Sequence, residues 1–157
     1  MIRHVRVPGM SRRILRGFAP DQIAAHRVAR NMSRGELARL IGVTTGAVGM
    51  WERGATTPQV DTLKKAADLL KVPMDEFIQI PPDERFLGDL RALRGLTQPQ
   101  LATFLPVSMT TLAQLERGEA KLTDPVASSI AKALELPVNT VVEAYERVRS
   151  RPENTRP

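Results

Sequence analysis

The chain contains no cysteine, so it has neither a disulfide framework nor a thiolate metal site. It also lacks any apolar run approaching the roughly 18 residues a membrane-spanning helix needs. The first residues lack the uninterrupted apolar stretch of a secretory signal. These absences lead to the expectation of a soluble, cytoplasmic protein. Only two histidines occur, His4 and His26, and no clustered acid–base set accompanies them. General acid–base and nucleophilic catalysis need such a set, which makes an enzyme the least favoured reading. No glycine-rich phosphate loop or Walker pattern is present, and no cofactor is implied. Acidic residues are missing altogether from residues 1–20, where Arg3, Arg6, Arg12, Arg13 and Arg16 fall.

What is present is an internal repeat. Residues 26–77 and 90–141 align without a gap at an offset of 64. The offset pairs Arg27 with Arg91, Leu37-Ala38 with Leu101-Ala102, and Val43 with Val107. It also pairs Glu52-Arg53-Gly54 with Glu116-Arg117-Gly118, Leu70 with Leu134, and Pro73 with Pro137. The period is too long for a solenoid unit and suits a small domain used twice.

Charge is distributed unevenly over this plan. The net charge is +6, yet residues 21–82 carry 8 basic against 7 acidic side chains, and residues 83–146 carry 6 against 9. The excess lies in a basic arm (residues 1–20) and a basic tail (147–157), the latter holding Arg147, Arg149, Arg151 and Arg156 against Glu153. Such ends are commonly solvating; in a nucleic-acid-binding protein they become candidate phosphate or minor-groove contacts.

Helical periodicity and punctuation predict five helices per repeat, an all-α fold. In the first repeat (21–80), Asp21 is the expected N-cap of helix one. Ser33 with Glu36 is an expected capping box for helix two, and Gly42 stops that helix. Helix three runs from Thr44 to Gly54, helix four from Asp61 to Leu70, and helix five from Pro73 to Ile80. The second repeat (83–146) gives the same series. Asp83 or Asp89 begins it, Thr97 and Gln100 form a second capping box, and Pro106-Val107 makes the elbow. Asp124 is read as the cap before Pro125, and Pro137 opens helix five. Only Ile80-Pro81-Pro82-Asp83 lies between the repeats, a short, stiff, proline-rich linker.

Two short helices joined by a glycine-containing turn make a helix-turn-helix. SRGELARLIGVTTGAVGMWERG (Ser33–Gly54) and TQPQLATFLPVSMTTLAQLERG (Thr97–Gly118) both resemble the Cro/CI, or XRE-type, DNA-binding domain of phage repressors and bacterial regulators. The resemblance covers residues 21–80 and 85–145, with repeat one the closer match. Repeat two departs from it at Pro106, where the elbow glycine normally sits, and at Leu122, where repeat one has Pro58.

The resemblance implies a role for each matching position. Arg27 with Glu52, and Arg91 with Glu116, would be structural ion pairs between helices one and three. Arg34 and Gln98, following the helix-two caps, would touch phosphate and support the first base contact. Thr44, Thr45, Gly46, Gly49 and Met50 would enter the major groove from repeat one. Ser108, Met109, Thr110, Ala113 and Gln114 would do so from repeat two. Arg53 flanks the groove face, and Thr56, Thr57 and Lys121 fall in the loops expected to reach phosphate.

Helix three of repeat one carries no arginine, asparagine or glutamine fork, whereas repeat two offers Gln114 in acidic surroundings. Repeat one is favoured as the main reader. Trp51, matching Leu115, is expected in the core, and His26 is expected half-buried without a partner at ligand spacing. The function expected is a sequence-specific, double-stranded-DNA-binding transcriptional regulator, a repressor on an operator. It would act as a homodimer, or alternatively as an internal pseudo-dimer, and would be nucleoid-associated when bound. The competing reading is a protein-interaction module, an antiactivator or antitoxin, with repeat two holding the partner.

Overall fold

The computed structural model describes residues 14–157. Helices in these residues are α1 (Pro20–Ala29), α2 (Arg34–Ile41), α3 (Thr45–Glu52) and α4 (Val60–Leu70) in the first repeat. The second repeat holds α5 (Leu87–Leu93), α6 (Gln98–Ala102), α7 (Met109–Glu116), α8 (Asp124–Leu134) and α9 (Val138–Arg149). No strand forms among the described residues, and no helix there is long and apolar enough to cross a membrane.

Each repeat closes around its own core. In the first, Ile23, Leu37, Val48, Trp51, Leu63, Leu70 and Phe77 are buried together. In the second, Leu87, Leu101, Leu112, Leu115, Ile130, Leu134 and Tyr145 take that role. Trp51 and Leu115 occupy matching core positions.

The capping chemistry follows the sequence with shifts of one or two residues. Ser33 Oγ accepts from Glu36 N–H at 3.0 Å, and Thr44 Oγ1 accepts from Ala47 N–H at 3.1 Å. The reciprocal half of a capping box forms at Thr97, whose N–H donates to Gln100 Oε1 at 2.9 Å. Asp21 is not the cap of α1; Pro20 already starts that helix, and Asp21 sits in its first turn near the positive helix end. Asp124 likewise lies inside α8, after Thr123. Asp89 is the third residue of α5, and its Oδ2 accepts from Phe86 N–H at 2.8 Å.

Three expectations about the elements are corrected. The predicted fifth helix of repeat one is a single 3-10 turn, Met74–Glu76. Its successors are drawn out by the segment before α1: Gln79 N–H donates to Gly17 C=O at 2.8 Å, and Ala19 N–H donates to Phe77 C=O at 2.9 Å. Phe18 and Ile78 form an antiparallel bridge there. Phe77, Ile78 and Ile80 are all buried. In repeat two, by contrast, Val141, Ala144, Tyr145 and Val148 keep the helical period and α9 forms in full.

Second, the basic arm does not extend to residue 20, because Leu15 and Phe18 pack on the first core. Arg3, Arg6, Arg12 and Arg13 lie outside the described residues. Third, the second domain does not end at 146. α9 continues to Arg149, and Arg151 beyond it donates to the carbonyl of Arg117 at 2.7 Å.

The elbows of the two copies also differ. Gly42 closes α2 with φ +77°, the left-handed region that glycine enters without a Cβ penalty. Proline fixes φ negative, so Pro106 cannot make that turn. α6 therefore ends at Ala102, and the connection is made by short-range bonds, Phe104 N–H to Leu101 C=O and Leu105 N–H to Ala102 C=O, at 3.0 and 3.1 Å.

The repeats are packed on each other through α5. Ala92 is buried with the first core and Leu93 packs against it. Gly95 lies so close to α4 that an added Cβ would stand 2.4 Å from Lys64 Cβ.

Candidate nucleic-acid interface

Thr44, Thr45 and Gly46 are exposed at the start of α3, and Met50 is exposed one turn further on. Val48 and Trp51 point into the core, which fixes the angle at which this face is presented. Gly49 does not belong to the exposed face. It is buried, and the guanidinium of Arg53 lies over it, so that an added Cβ would stand 3.1 Å from an Arg53 Nη1. The surface assigned to Gly49 is therefore occupied by Arg53, which folds back from the end of α3.

Behind this face sits a shielded carboxylate. Arg27 Nε donates to Glu52 Oε1 at 2.8 Å and a terminal nitrogen reaches Oε2 at 3.2 Å. The Arg27 Nη1 donates to the carbonyl of Met32 at 2.8 Å, tying α1 to the turn before α2. The Glu52 side chain is only 2% exposed. A third donor completes the group: Arg34 Nε reaches Glu52 Oε2 at 2.8 Å, while the rest of Arg34 stays half-exposed.

Repeat two builds the same group with one substitution. Arg91 Nε donates to Glu116 Oε1 at 2.5 Å, and Arg91 Nη1 to the carbonyl of Leu96 at 2.8 Å. Gln98 Nε2 takes the third place, 2.8 Å from Glu116 Oε2. The two carboxylates thus have equivalent surroundings but unequal charge. Two guanidiniums against one carboxylate leave +1 in repeat one, whereas one guanidinium and an amide leave zero in repeat two.

The ends of the recognition helices diverge in the same sense. Arg53 has no ion pair among the described residues, and Ala55 stands where repeat two has Glu119. Arg117, the counterpart of Arg53, donates through Nε to Glu119 Oε1 at 3.0 Å. That hydrogen bond holds the Glu119 carboxyl below its ordinary value. Ala113 replaces Gly49 beneath it, so the bare helix surface that seats Arg53 is absent from α7.

The remaining repeat-two positions are placed as follows. Ser108 caps α7 by accepting from Thr111 N–H at 3.1 Å. Met109 and Thr110 are exposed, and Gln114 is half-buried. Phe104, at 64% exposed, and Met109, at 49%, are the large apolar side chains exposed on this face, as Leu40 and Met50 are in repeat one. Of the loop residues, Lys121 is exposed; Thr56 is half-buried, as is Thr57, whose hydroxyl accepts from Leu15 N–H at 3.4 Å. His26 is half-buried against the Phe77 ring, with Nε2 3.4 Å from Glu76 Oε2. No group of three metal-ligating side chains occurs among the described residues.

Sequence reasoning missed one buried charge. Asp89 falls opposite Ala25 at the offset of 64, one position outside the aligned repeat, so comparing the copies gave no signal of it. It accepts from Arg16, whose guanidinium also lies 4.2 Å from the centre of the Phe86 ring. Burial raises the Asp89 carboxyl above its ordinary value; the Phe86 N–H and Arg16 act in the opposite direction.

Comparison with known proteins agrees with this geometry. A family model described as Helix-turn-helix matches residues 23–77, and one described as Helix-turn-helix domain matches residues 85–144. Among characterised proteins, the chain is similar to the cryptic phage CTXphi transcriptional repressor RstR of Vibrio cholerae. The two are 29% identical over 77 residues, which is 47% of this chain and 69% of the relative. No solved structure matches the chain. With a helix-turn-helix match on each repeat and a phage repressor as a relative, the chain belongs to the XRE-type helix-turn-helix DNA-binding transcription regulators and carries the unit twice.

Proposed function

We propose that the protein is a transcriptional repressor that reads double-stranded DNA chiefly with repeat one. The start of α3 would enter the major groove, with Thr44, Thr45, Gly46 and Met50 facing base edges and Arg34 and Arg53 reaching flanking phosphates. The observation that carries the choice of repeat is electrostatic. The Glu52 group keeps a surplus guanidinium in Arg34 and Arg53 is unpaired among the described residues, whereas Gln98 and the Arg117–Glu119 pair leave the second face neutral. Phosphate contacts supply most of the sequence-independent affinity, so the face with two available arginines is the better one for DNA.

Threonine hydroxyls accept or donate, and threonine and methionine methyl groups suit thymine methyls, so base discrimination by α3 rests on contacts weaker than bidentate forks. A two-fold homodimer would present two copies of repeat one to a pseudo-palindromic operator, with half-sites about 34 Å apart or a multiple of that. In the alternative, the two repeats of one chain serve one asymmetric site. The competing reading puts a protein partner on repeat two, at the exposed Phe104 and Met109.

Selection of bound sequences from a random duplex library tests the reading. Two symmetric half-sites, with a dimer by light scattering, are expected. Recovery of no enriched sequence would remove the repressor reading, and a single asymmetric site bound by a monomer would replace the homodimer.

A further inference from the structure

The sequence places the basic excess at two separate ends of the repeat pair, and the structure brings the described parts of both to one place. Arg16, before α1, and Arg147, Ser150 and Arg151, at and beyond the end of α9, line one shallow cleft of about 360 Å³ together with Phe86 and Glu84. Arg16 is held over the Phe86 ring. Arg147 is oriented by donating to the carbonyl of Arg85 at 2.7 Å. Arg151 is oriented by donating to the carbonyls of Val148 and Arg117 at 2.6 and 2.7 Å. These bonds use part of each guanidinium and fix its position, so little side-chain entropy is left to lose on binding.

We infer that this cleft is a second, sequence-independent grip on the phosphate backbone of duplex DNA. The inference rests on the DNA-binding reading above. The nearby acids are Asp89, buried beneath Arg16, Glu84 at the rim, Glu143, 3.7 Å from Arg147, and Glu119, whose carboxylate is paired with Arg117 and also feels the charge of Arg151. An open, shallow, arginine-lined surface suits a polyanion that tracks across it better than a small anion that must be enclosed. The second repeat would then contribute affinity through its flank while the first reads sequence.

The test measures binding of the full chain to an operator duplex and to a mixed-sequence duplex over a range of salt. Arg147→Gln with Arg151→Gln should weaken both by the same factor and lower the salt slope by about 0.9 per arginine removed. Ser150→Glu, which leaves every arginine contact in place and adds a negative charge to the cleft, should weaken both in the same direction. Lys65→Gln with Lys132→Gln, exposed lysines outside the cleft, should leave the slope unchanged. Wild-type slopes retained by the arginine variant and by Ser150→Glu would overturn the inference while leaving the operator reading intact. A wild-type chain that binds neither duplex would overturn the operator reading itself.

Discussion

Gly49, Glu116 and Asp89 each make a separate prediction. Gly49 seats the guanidinium of Arg53, and a Cβ there would meet it at 3.1 Å. Alanine is also the better helix former, by about 1 kcal/mol. Gly49→Ala should therefore keep or raise the melting temperature while lowering operator affinity, since the crowded atom is the far end of a movable side chain. A loss of stability with unchanged affinity would show that Arg53 is not the reason for the glycine. The carboxylates at the ends of α3 and α7 are structural. Glu116→Gln leaves Arg91 shielded without its counter-charge, and should cost about 3 kcal/mol in urea unfolding; a cost under 1 kcal/mol would contradict that role. Asp89 behaves differently, because burial raises its carboxyl above the ordinary value of 3.8. The folded chain then holds that proton more tightly than the unfolded chain. Its contribution to stability is fully present below the ordinary value and declines as pH rises through the raised one. Asp89→Asn removes the titration, so the stability difference should shift in the variant's favour over that window. Paired melts showing a pH-independent difference would contradict this.

At the scale of elements, legibility followed how local the determining interaction was. α2, α3, α4, α7 and α8 were readable because start signal, apolar period and stop lie within one short segment, as from Ser33 through Leu37 to Gly42. The fifth helix of repeat one was not, because Phe77 to Gln79 are paired with Gly17 to Ala19, about sixty residues away in sequence, and no local signal announces that. The short α6 was half legible: Pro106 showed that the elbow could not copy Gly42, yet where the helix would end depended on bonds around Phe104. Of the candidate interface, the ion-pair partners and the exposed start of α3 followed from the repeat and the family resemblance. The burial of Gly49 and the shared use of Glu52 by Arg27 and Arg34 depend on side-chain paths that spacing does not encode.

The whole molecule is a pair of helix-turn-helix units locked together, with different chemistry on their outward faces. Gly95 makes the packing of the units possible, with a backbone φ of +71° and no room for a Cβ against Lys64. Gly95→Ala should loosen that contact and destabilise the chain by about 1–3 kcal/mol, combining overpacking with left-handed strain. Calorimetry should then show one unfolding transition broadening or splitting into two, whereas an unchanged single transition would mean the interface does not couple the units. The central claim is that the first unit reads and the second does not. It is tested most directly by operator binding of two matched double variants, Arg34→Ala/Thr45→Ala and Gln98→Ala/Met109→Ala, each checked for retained helicity. The first pair should abolish discrimination between operator and mixed-sequence duplex, and the second should leave that discrimination within a few-fold of wild type. An equal or larger loss of discrimination from the second pair would contradict the account.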